Sequence, residues 1–238
     1  MPEVSVVLPT YNERDNIGPL IETILASLDW PTQIIVVDDD SPDGTWQVVQ
    51  EMAANDQRIE LLRRTDERGL TSALTAGIAR ARGDVIAWMD CDLSMPPEKL
   101  PELVKALAKF DLAIGSRYVK GGKDAGHSVV GRAFSWVMNF CTALLLGFAI
   151  RDYTSGFIAA KREVFDQINL RGDYGEYCID LLHRARKKGF KIQEIPYYFV
   201  PRRSGESKTA TGVWDYFRRG IKYVILVLRL RFTPTQAL

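Results

Sequence analysis

Gln33-Ile34-Ile35-Val36-Val37-Asp38-Asp39-Asp40-Ser41-Pro42-Asp43-Gly44 is apolar for four residues, stops on three acids and closes on a turn. A short, β-branched apolar run bounded by charge reads as a strand buried on both faces. The same signature recurs at 4–8, which ends at Pro9, at 59–62, at 85–89, which runs into Asp90, and at 112–115. Between these runs the spacing turns helical. Ile17, Leu20, Ile21, Ile24 and Leu28 share one face of 16–28, and further helices are predicted over 44–54, over 70–82 with Gly83 as its stop, and over 98–110 behind Pro96-Pro97. Strands apolar throughout, alternating with amphipathic helices, predict an α/β fold with a Rossmann-like, mostly parallel central sheet flanked by helices. Ligands bind such sheets at the carboxyl ends of the strands. The acids fall there: Asp38-Asp39-Asp40 after the second strand, and Asp90 and Asp92 after the fourth.

The second half is less regular. An almost wholly apolar helix is expected over 133–147, a short strand over 156–160, a helix over 176–188 and a strand over 192–200. A last helix over 213–230 carries Trp214, Phe217, Ile221, Val224, Ile225 and Leu228 on one side and Arg218, Arg219, Lys222 and Arg229 on the other. The stretch 133–150 falls short of the ~20 residues of a membrane span and is interrupted by Ser135, Asn139 and Thr142, so it reads as a buried or interfacial helix.

The 238 residues are 46% hydrophobic with a net charge of +1, which suits a buried core and excludes a disordered chain or a nucleic-acid binder as the first expectation. Charge is uneven, since eight Lys and Arg against two acids follow Pro201. Cys91, Cys141 and Cys178 show no paired spacing, so neither a disulfide framework nor a zinc site is expected, and the absence of a leader-like start points to the cytosol.

Four groups carry chemistry. In Asp90-Cys91-Asp92, acids at i and i+2 of a strand end share a face and suit a hard divalent cation, Mg²⁺ or Mn²⁺, against phosphate oxygens. Asp38 to Gly44 places a carboxylate where it can accept from a ribose or base, although a turn capped by Ser41 or Asp43 would explain it equally well. Pro9-Thr10-Tyr11-Asn12-Glu13 offers Tyr11 for stacking. Arg117, and the loop Arg202-Arg203-Ser204-Gly205-Glu206-Ser207-Lys208, are candidate phosphate clamps. His127 and His183 stand alone. His183, in a helix among Arg and Lys, reads as surface, and neither is expected to take a catalytic role.

Together Val6–Glu13, Val37–Thr45, Met89–Ser94 and Arg202-x-x-Gly205-Glu206-Ser207-Lys208 resemble the dolichol-phosphate (polyprenol-phosphate) mannosyltransferases of the inverting glycosyltransferase family two, over about residues 3–230. The resemblance implies a GT-A fold in a catalytic domain at 1–212, its nucleotide-binding half at 1–117 and its acceptor half at 118–212, followed by an amphipathic helix and tail at 213–238. It implies GDP-mannose as donor and a polyprenyl or dolichyl phosphate as acceptor. Pro9, Tyr11, Glu13, Val37 and Asp39 would contact the nucleoside. Asp90, Cys91 and Asp92 would sit at the metal and diphosphate, with Asp90 and Asp92 as metal ligands. Arg117, Arg202 and Lys208 would bind phosphates, Arg132 and Ser135 would join Arg117 and Arg202 at the acceptor phosphate, and Asp92, Arg117 and Arg202 would carry catalysis. Ser94 stands where some relatives offer another metal ligand. The protein would sit peripherally on the cytoplasmic face of a membrane, with room for a small membrane-anchoring partner subunit.

The chain departs from the pattern at Asp40, where Gly is usual, at Gly69-Leu70-Thr71-Ser72-Ala73, and in the spacing of Arg132 from Ser135. An acceptor phosphate is already anionic near neutral pH, so no general base is expected. The alternatives are a polyprenyl-phosphate glucosyltransferase using UDP-glucose, a saccharide acceptor served by Glu176 or Asp180 as base, and a non-catalytic nucleotide-sugar sensor.

Overall fold

The computed structural model describes residues 2–204 and 213–233, with the backbone alone at 213–219. Of the basic motif, Gly205 to Lys208 lie outside the described residues, as do the side chains of Trp214, Phe217, Arg218 and Arg219.

Alternation along the strands builds the fold. β1 (Val4–Thr10) and β2 (Thr32–Asp38) point Val6, Leu8, Ile34 and Val36 to one side of the sheet, onto Ile17, Leu20, Ile21 and Ile24 of α1 (Arg14–Ser27) and Val49 of α2 (Thr45–Asn55). Their alternate residues Val7, Ile35 and Val37 face the other side, onto Ala73 and Leu74 of α3 (Leu70–Arg80). Because side chains alternate faces along a strand, runs apolar at every position bury two layers at once.

β3 (Ile59–Arg63), β4 (Val85–Trp88), β5 (Leu112–Ser116), β7 (Ile158–Lys161) and β8 (Ile192–Pro196) complete a seven-stranded sheet of order β3-β2-β1-β4-β7-β5-β8. It is parallel except for β7, which runs antiparallel between β4 and β5. β6 (Lys123–Asp124) and β9 (Tyr198–Phe199) form a small second sheet. The expected strand at 192–200 is thus two, divided at Tyr197. A 3-10 turn at Pro97–Lys99 and the short α4 (Leu100–Ala106) stand where one longer helix is predicted. α5 (Val129–Leu146), α6 (Arg162–Gln167), α7 (Glu176–Lys187) and α8 (Val213–Phe232) follow.

Two local readings are corrected. α3 ends at Arg80, capped by Ala81 in extended conformation, and Gly83 serves a different purpose: a Cβ there would lie 2.5 Å from the carbonyl oxygen of Glu3, so the residue permits close backbone approach. His183 is buried, 4% exposed, because every residue of α7 from Glu176 to Ala185 is inside and the charge of Arg184 is paired within the helix to Asp180.

α5 starts where the Ser128 hydroxyl accepts from the Gly131 N–H at 3.1 Å. It is long and apolar enough to cross a membrane by length and composition. In the fold it packs on α8 and sends Asn139, Thr142, Ala143 and Leu146 inward, while Trp136, Val137, Phe140, Leu144 and Phe148 beyond its end are exposed.

Candidate active site

The loops after β1, β2 and β4 meet at the carboxyl end of the sheet, and each holds a non-glycine residue at positive φ: Asn12 (56°), Asp40 (56°) and Leu93 (61°). Asn and Asp tolerate this region, whereas a leucine there signals a turn that its surroundings impose. Asp90-Cys91-Asp92 lies in that turn, beyond β4, so a tight turn rather than strand alternation brings the two carboxylates together. The Asp92 carboxylate accepts from the Ser94 amide at 3.0 Å and from its hydroxyl. The Cys91 thiol is turned away, onto the Pro9 carbonyl at 3.3 Å. Val200 N–H donates to the Ser94 carbonyl at 3.0 Å and Arg203 N–H to that of Asp92 at 3.1 Å, which lays the basic segment over the turn.

The three acids after β2 have separate fates. Asp38 is fully buried and accepts from Ser41 N–H (2.8 Å), the Ser41 hydroxyl (2.6 Å) and the Thr10 hydroxyl (2.9 Å), a purely structural role. Asp40 pairs with Arg63, which lies 3.8 Å over the Trp46 ring. Asp39 reaches the site, pinned by Gly69 N–H at 2.8 Å and by the Arg64 guanidinium. Asp43 ties both helix starts, accepting from Arg14 N–H at 3.1 Å and Thr45 N–H at 2.9 Å.

Two adjoining cavities share Leu70, Asp90, Asp92, Tyr174 and Arg202. One, of about 330 Å³, is lined by Pro9, Tyr11, Glu13, Asp39, Arg68 and Cys91 among others. The other, of about 280 Å³, reaches Ser94, Arg117, His127, Ser135, Met138 and Tyr197. Of the expected nucleoside contacts, the Val37 side chain does not arrive: it is buried in the core, and a Cβ on Gly77 of α3 would stand 3.1 Å from it. Arg132 is not among the lining residues. It is exposed, and its Nη1 donates to the Asp124 carbonyl at 3.3 Å. Ser135 lines the second cavity, where its hydroxyl accepts from Tyr118 at 2.8 Å.

Arg117 is committed elsewhere. Its backbone N–H, Nε and Nη2 donate to the fully buried Asp152 at 3.0, 2.8 and 2.7 Å, and Nη2 also reaches the Thr154 hydroxyl at 2.9 Å. Arg202 donates to Glu13 at 3.0 Å, with Nη1 4.0 Å from Asp92. Burial, then the charges of Asp92 and Glu13, push the Asp90 carboxyl up to about 7, against the opposing pull of Arg117 and Arg202. Two carboxylates that repel each other beside arginines already paired suit a hard divalent cation completed by phosphate oxygens. No cluster of three or more candidate metal ligands occurs among the described residues. Glu176 and Asp180, the candidate bases for a saccharide acceptor, line a separate hollow between α7 and α8.

Arg64 and Arg68, the second donating to the Tyr11 hydroxyl at 3.2 Å, and Tyr174 at the junction of the cavities went unread in the sequence. An arginine in a polar loop carries no mark of the acid or ring it will meet.

The model of the family described as "Glycosyl transferase family 2" matches residues 5–168. The chain belongs to glycosyl transferase family 2. Among its relatives, this family 2 chain is 39% identical over 223 residues to a dolichol-phosphate mannosyltransferase of Pyrococcus furiosus, a match covering 91% of this chain and 62% of that protein. It is 41% identical to a polyprenol monophosphomannose synthase of Mycolicibacterium smegmatis, over 85% of this chain and 79% of that one. It is 36% identical to an undecaprenyl-phosphate mannosyltransferase of Micrococcus luteus, over 88% of each. The fold matches glucosyl-3-phosphoglycerate synthase of Mycobacterium tuberculosis, solved with Mn²⁺, UDP and phosphoglyceric acid, with a TM-score of 0.72 and 22% identity over 98% of this chain and 80% of that one. The GT-A architecture, a mostly parallel sheet flanked by helices, is therefore that of this family 2 chain.

Proposed function

We propose that this family 2 chain transfers mannose from GDP-mannose to a polyprenyl (dolichyl-type) monophosphate, with inversion at the anomeric carbon. The observation that carries the reading is the meeting of two cavities at Asp90, Asp92 and Arg202, one beneath the loops after β1 and β2, the other running to α5. The relatives named for polyprenyl-phosphate mannose synthesis support the choice of substrates.

The guanosine would lie in the first cavity, beside Tyr11 and Glu13, with Asp39 held as an acceptor by Arg64 and Gly69. Asp90 and Asp92 would hold Mg²⁺ or Mn²⁺, which when bound would neutralise the diphosphate and its charge as a leaving group. Arg202 would contribute its guanidinium at the diphosphate, and Ser135 would donate to the acceptor phosphate. A phosphate monoester, with a second pKa near 6, is largely dianionic at pH 7 and attacks in line, so most of the protein's task is holding two anions together. The lipid chain would leave along the exposed apolar surface of α5 and of Ile221, Val224, Ile225 and Leu228 on α8. The basic C-terminal stretch would hold the protein peripherally against anionic headgroups of a cytoplasmic leaflet.

The test is transfer to polyprenyl phosphate from GDP-mannose and from UDP-glucose, with and without Mn²⁺. Metal-stimulated transfer from GDP-mannose is expected, lost in Asp92→Ala and retained in Cys91→Ala, whose side chain faces the Pro9 carbonyl. Transfer from neither donor would refute the reading, and transfer from UDP-glucose alone would replace the donor.

A further inference from the structure

The arginines around the two cavities are not alike. Arg64 pairs with Asp39, Arg117 with Asp152 and Arg202 with Glu13, whereas Arg68 makes no ion pair among the described residues. Its side chain is held by an aromatic ring instead. The guanidinium carbon lies 4.9 Å from the centroid of the Tyr11 ring, and Nη1 donates to the Tyr11 hydroxyl at 3.2 Å. A guanidinium carries its N–H donors in one plane, so this bond leaves most of them for a ligand while the ring limits how far the group swings. Arg68 and Asp39 both line the first cavity, and neither lines the second. They are also neighbours through the backbone, since the N–H of Gly69, the residue after Arg68, donates to Asp39 Oδ2 at 2.8 Å.

Asp39 alone cannot identify a base. Guanine and uracil each present a ring N–H next to a carbonyl, and a carboxylate accepts from either. What guanine has and uracil lacks is N7, which with O6 forms a pair of acceptors in one plane. An arginine donates to that pair bidentately, as it does on the edge of a G·C pair, and adenine refuses the contact because an amino donor replaces O6. Around the guanine ring N1–H adjoins O6, and O6 adjoins N7. A carboxylate for N1–H and a guanidinium for O6 and N7 must therefore stand side by side, as Asp39 and Arg68 do.

We propose that Arg68 is the residue that selects guanine in the donor, donating in parallel to O6 and N7 while Asp39 accepts from N1–H. This rests on the reading of the donor as GDP-mannose. The loop between β3 and α3 then carries the choice of base, and the diphosphate is left to Asp90, Asp92 and Arg202, which line both cavities. Tyr11 keeps the guanidinium in place before the nucleotide arrives, which lowers the ordering cost of the contact. Arg68 faces no carboxylate among the described residues, so it can turn to a base without stranding one, which Arg64, Arg117 and Arg202 cannot do.

The experiment titrates the intact chain, Arg68→Ala and Arg68→Lys with GDP, with 7-deaza-GDP, in which a C–H replaces N7, and with UDP, all in the presence of Mn²⁺. In the parent, loss of N7 is expected to weaken binding about tenfold, as for a hydrogen bond from a charged donor. Arg68→Ala should weaken GDP about ten- to hundredfold and UDP by much less. In that variant the affinities for GDP and 7-deaza-GDP should converge to within about twofold, because the group that reads N7 is gone. Arg68→Lys keeps the charge without the planar fork and should retain most of the defect. Equal losses of GDP and UDP in Arg68→Ala, full recovery in Arg68→Lys, or a parent that binds GDP and 7-deaza-GDP alike would each overturn the inference alone, since the side chain would then serve the phosphates or the solvent. A parent that prefers UDP to GDP and transfers only from UDP-glucose would instead defeat the underlying reading, and this inference with it.

Discussion

Asp152→Asn should be among the most damaging single-atom changes available in this chain. Asp152 is fully buried and its two oxygens receive three donors from Arg117 and one from the Thr154 hydroxyl at 3.3 Å, while its own N–H donates to Glu194 at 3.0 Å. Arg117 is 7% exposed and flanked by Tyr118 and Phe199. The substitution replaces one accepting oxygen with a donor and leaves a buried guanidinium with only the Asp124 carboxylate, 3.7 Å away, as counter-charge. Removing one partner of a buried pair costs about 3–5 kcal/mol, and for a chain of this length each kcal/mol lowers the melting temperature by about 2–4 °C. A fall of roughly 6–20 °C is therefore expected in calorimetric melts at pH 7. Replacing both charges, as in Arg117→Met with Asp152→Leu, removes the stranded ion and should recover at least half the loss, because a buried pair contributes little beyond its own desolvation. Strict additivity of the two single costs, or a melt of Asp152→Asn within 2 °C of the parent, would refute a buried, mutually dependent pair.

Three further outcomes follow from named contacts. In metal-free protein the folded Asp90 carboxyl titrates near 7 rather than near 4, so between those values the folded state keeps a proton that the unfolded chain has lost. Its contribution to stability then falls as pH rises across that window, by up to about 1.4 kcal/mol per unit, and the urea-denaturation gap between Asp90→Asn and the parent should widen in the variant's favour; a flat gap would count against the shift. In Gly77→Ala the new Cβ would meet Val7 Cγ1 at 2.3 Å, so a loss of about 1–3 kcal/mol is expected, partly restored by Val7→Ala; an unchanged urea midpoint would show that β1 and α3 separate freely. Neither His183 ring nitrogen has a hydrogen-bond partner among the described residues, and burial, followed by the Lys187 and Arg186 charges, holds its pKa down. The stability of the neutral ring is lost as pH falls through about 6.5, so His183→Leu should match the parent at pH 8 and exceed it at pH 5; a variant weaker at both would mean the ring is satisfied in solution.

The sheet was legible because its signals are local. Ile34 to Val37 is apolar at every position, and a turn must follow where Asp38 begins. Which acid after β2 faces the ligand is not legible, because Asp38, Asp39 and Asp40 are chemically identical and are sorted largely by distant partners, among them Thr10, Arg64 and Arg63, 23 to 28 residues away. The antiparallel insertion of β7 depends on pairing with β4 and β5 rather than on anything within Ile158–Lys161. The burial of His183 departs from the sequence expectation for a related reason. A helix rich in Arg and Lys suggests a solvent face, but the Arg184–Asp180 pair neutralises its charge internally and lets that face be buried.

The same long-range pairing changes what the basic residues can be asked to do. The sequence offers Arg117 and Arg202 as phosphate clamps, yet each already faces an acid, Asp152 in one case and Glu13 in the other. Around Asp90 the near charges are Asp92 and Glu13 on one side and these two committed arginines on the other, and the carboxyl retains its proton to about pH 7. A diphosphate entering that centre would add negative charge to a place already short of positive charge. Arg202 can move from Glu13 to a phosphate only by leaving a carboxylate that is 8% exposed, so donor binding must either bring a counter-charge or break that pair. The two routes separate experimentally. If the cation supplies the charge, Glu13→Gln should leave metal-dependent GDP-mannose affinity within about threefold, since Arg202 stays where it is. If Arg202 is the mobile element, the same variant should release it and tighten nucleotide binding in the absence of metal, by as much as the roughly 1 kcal/mol typical of a partly exposed pair.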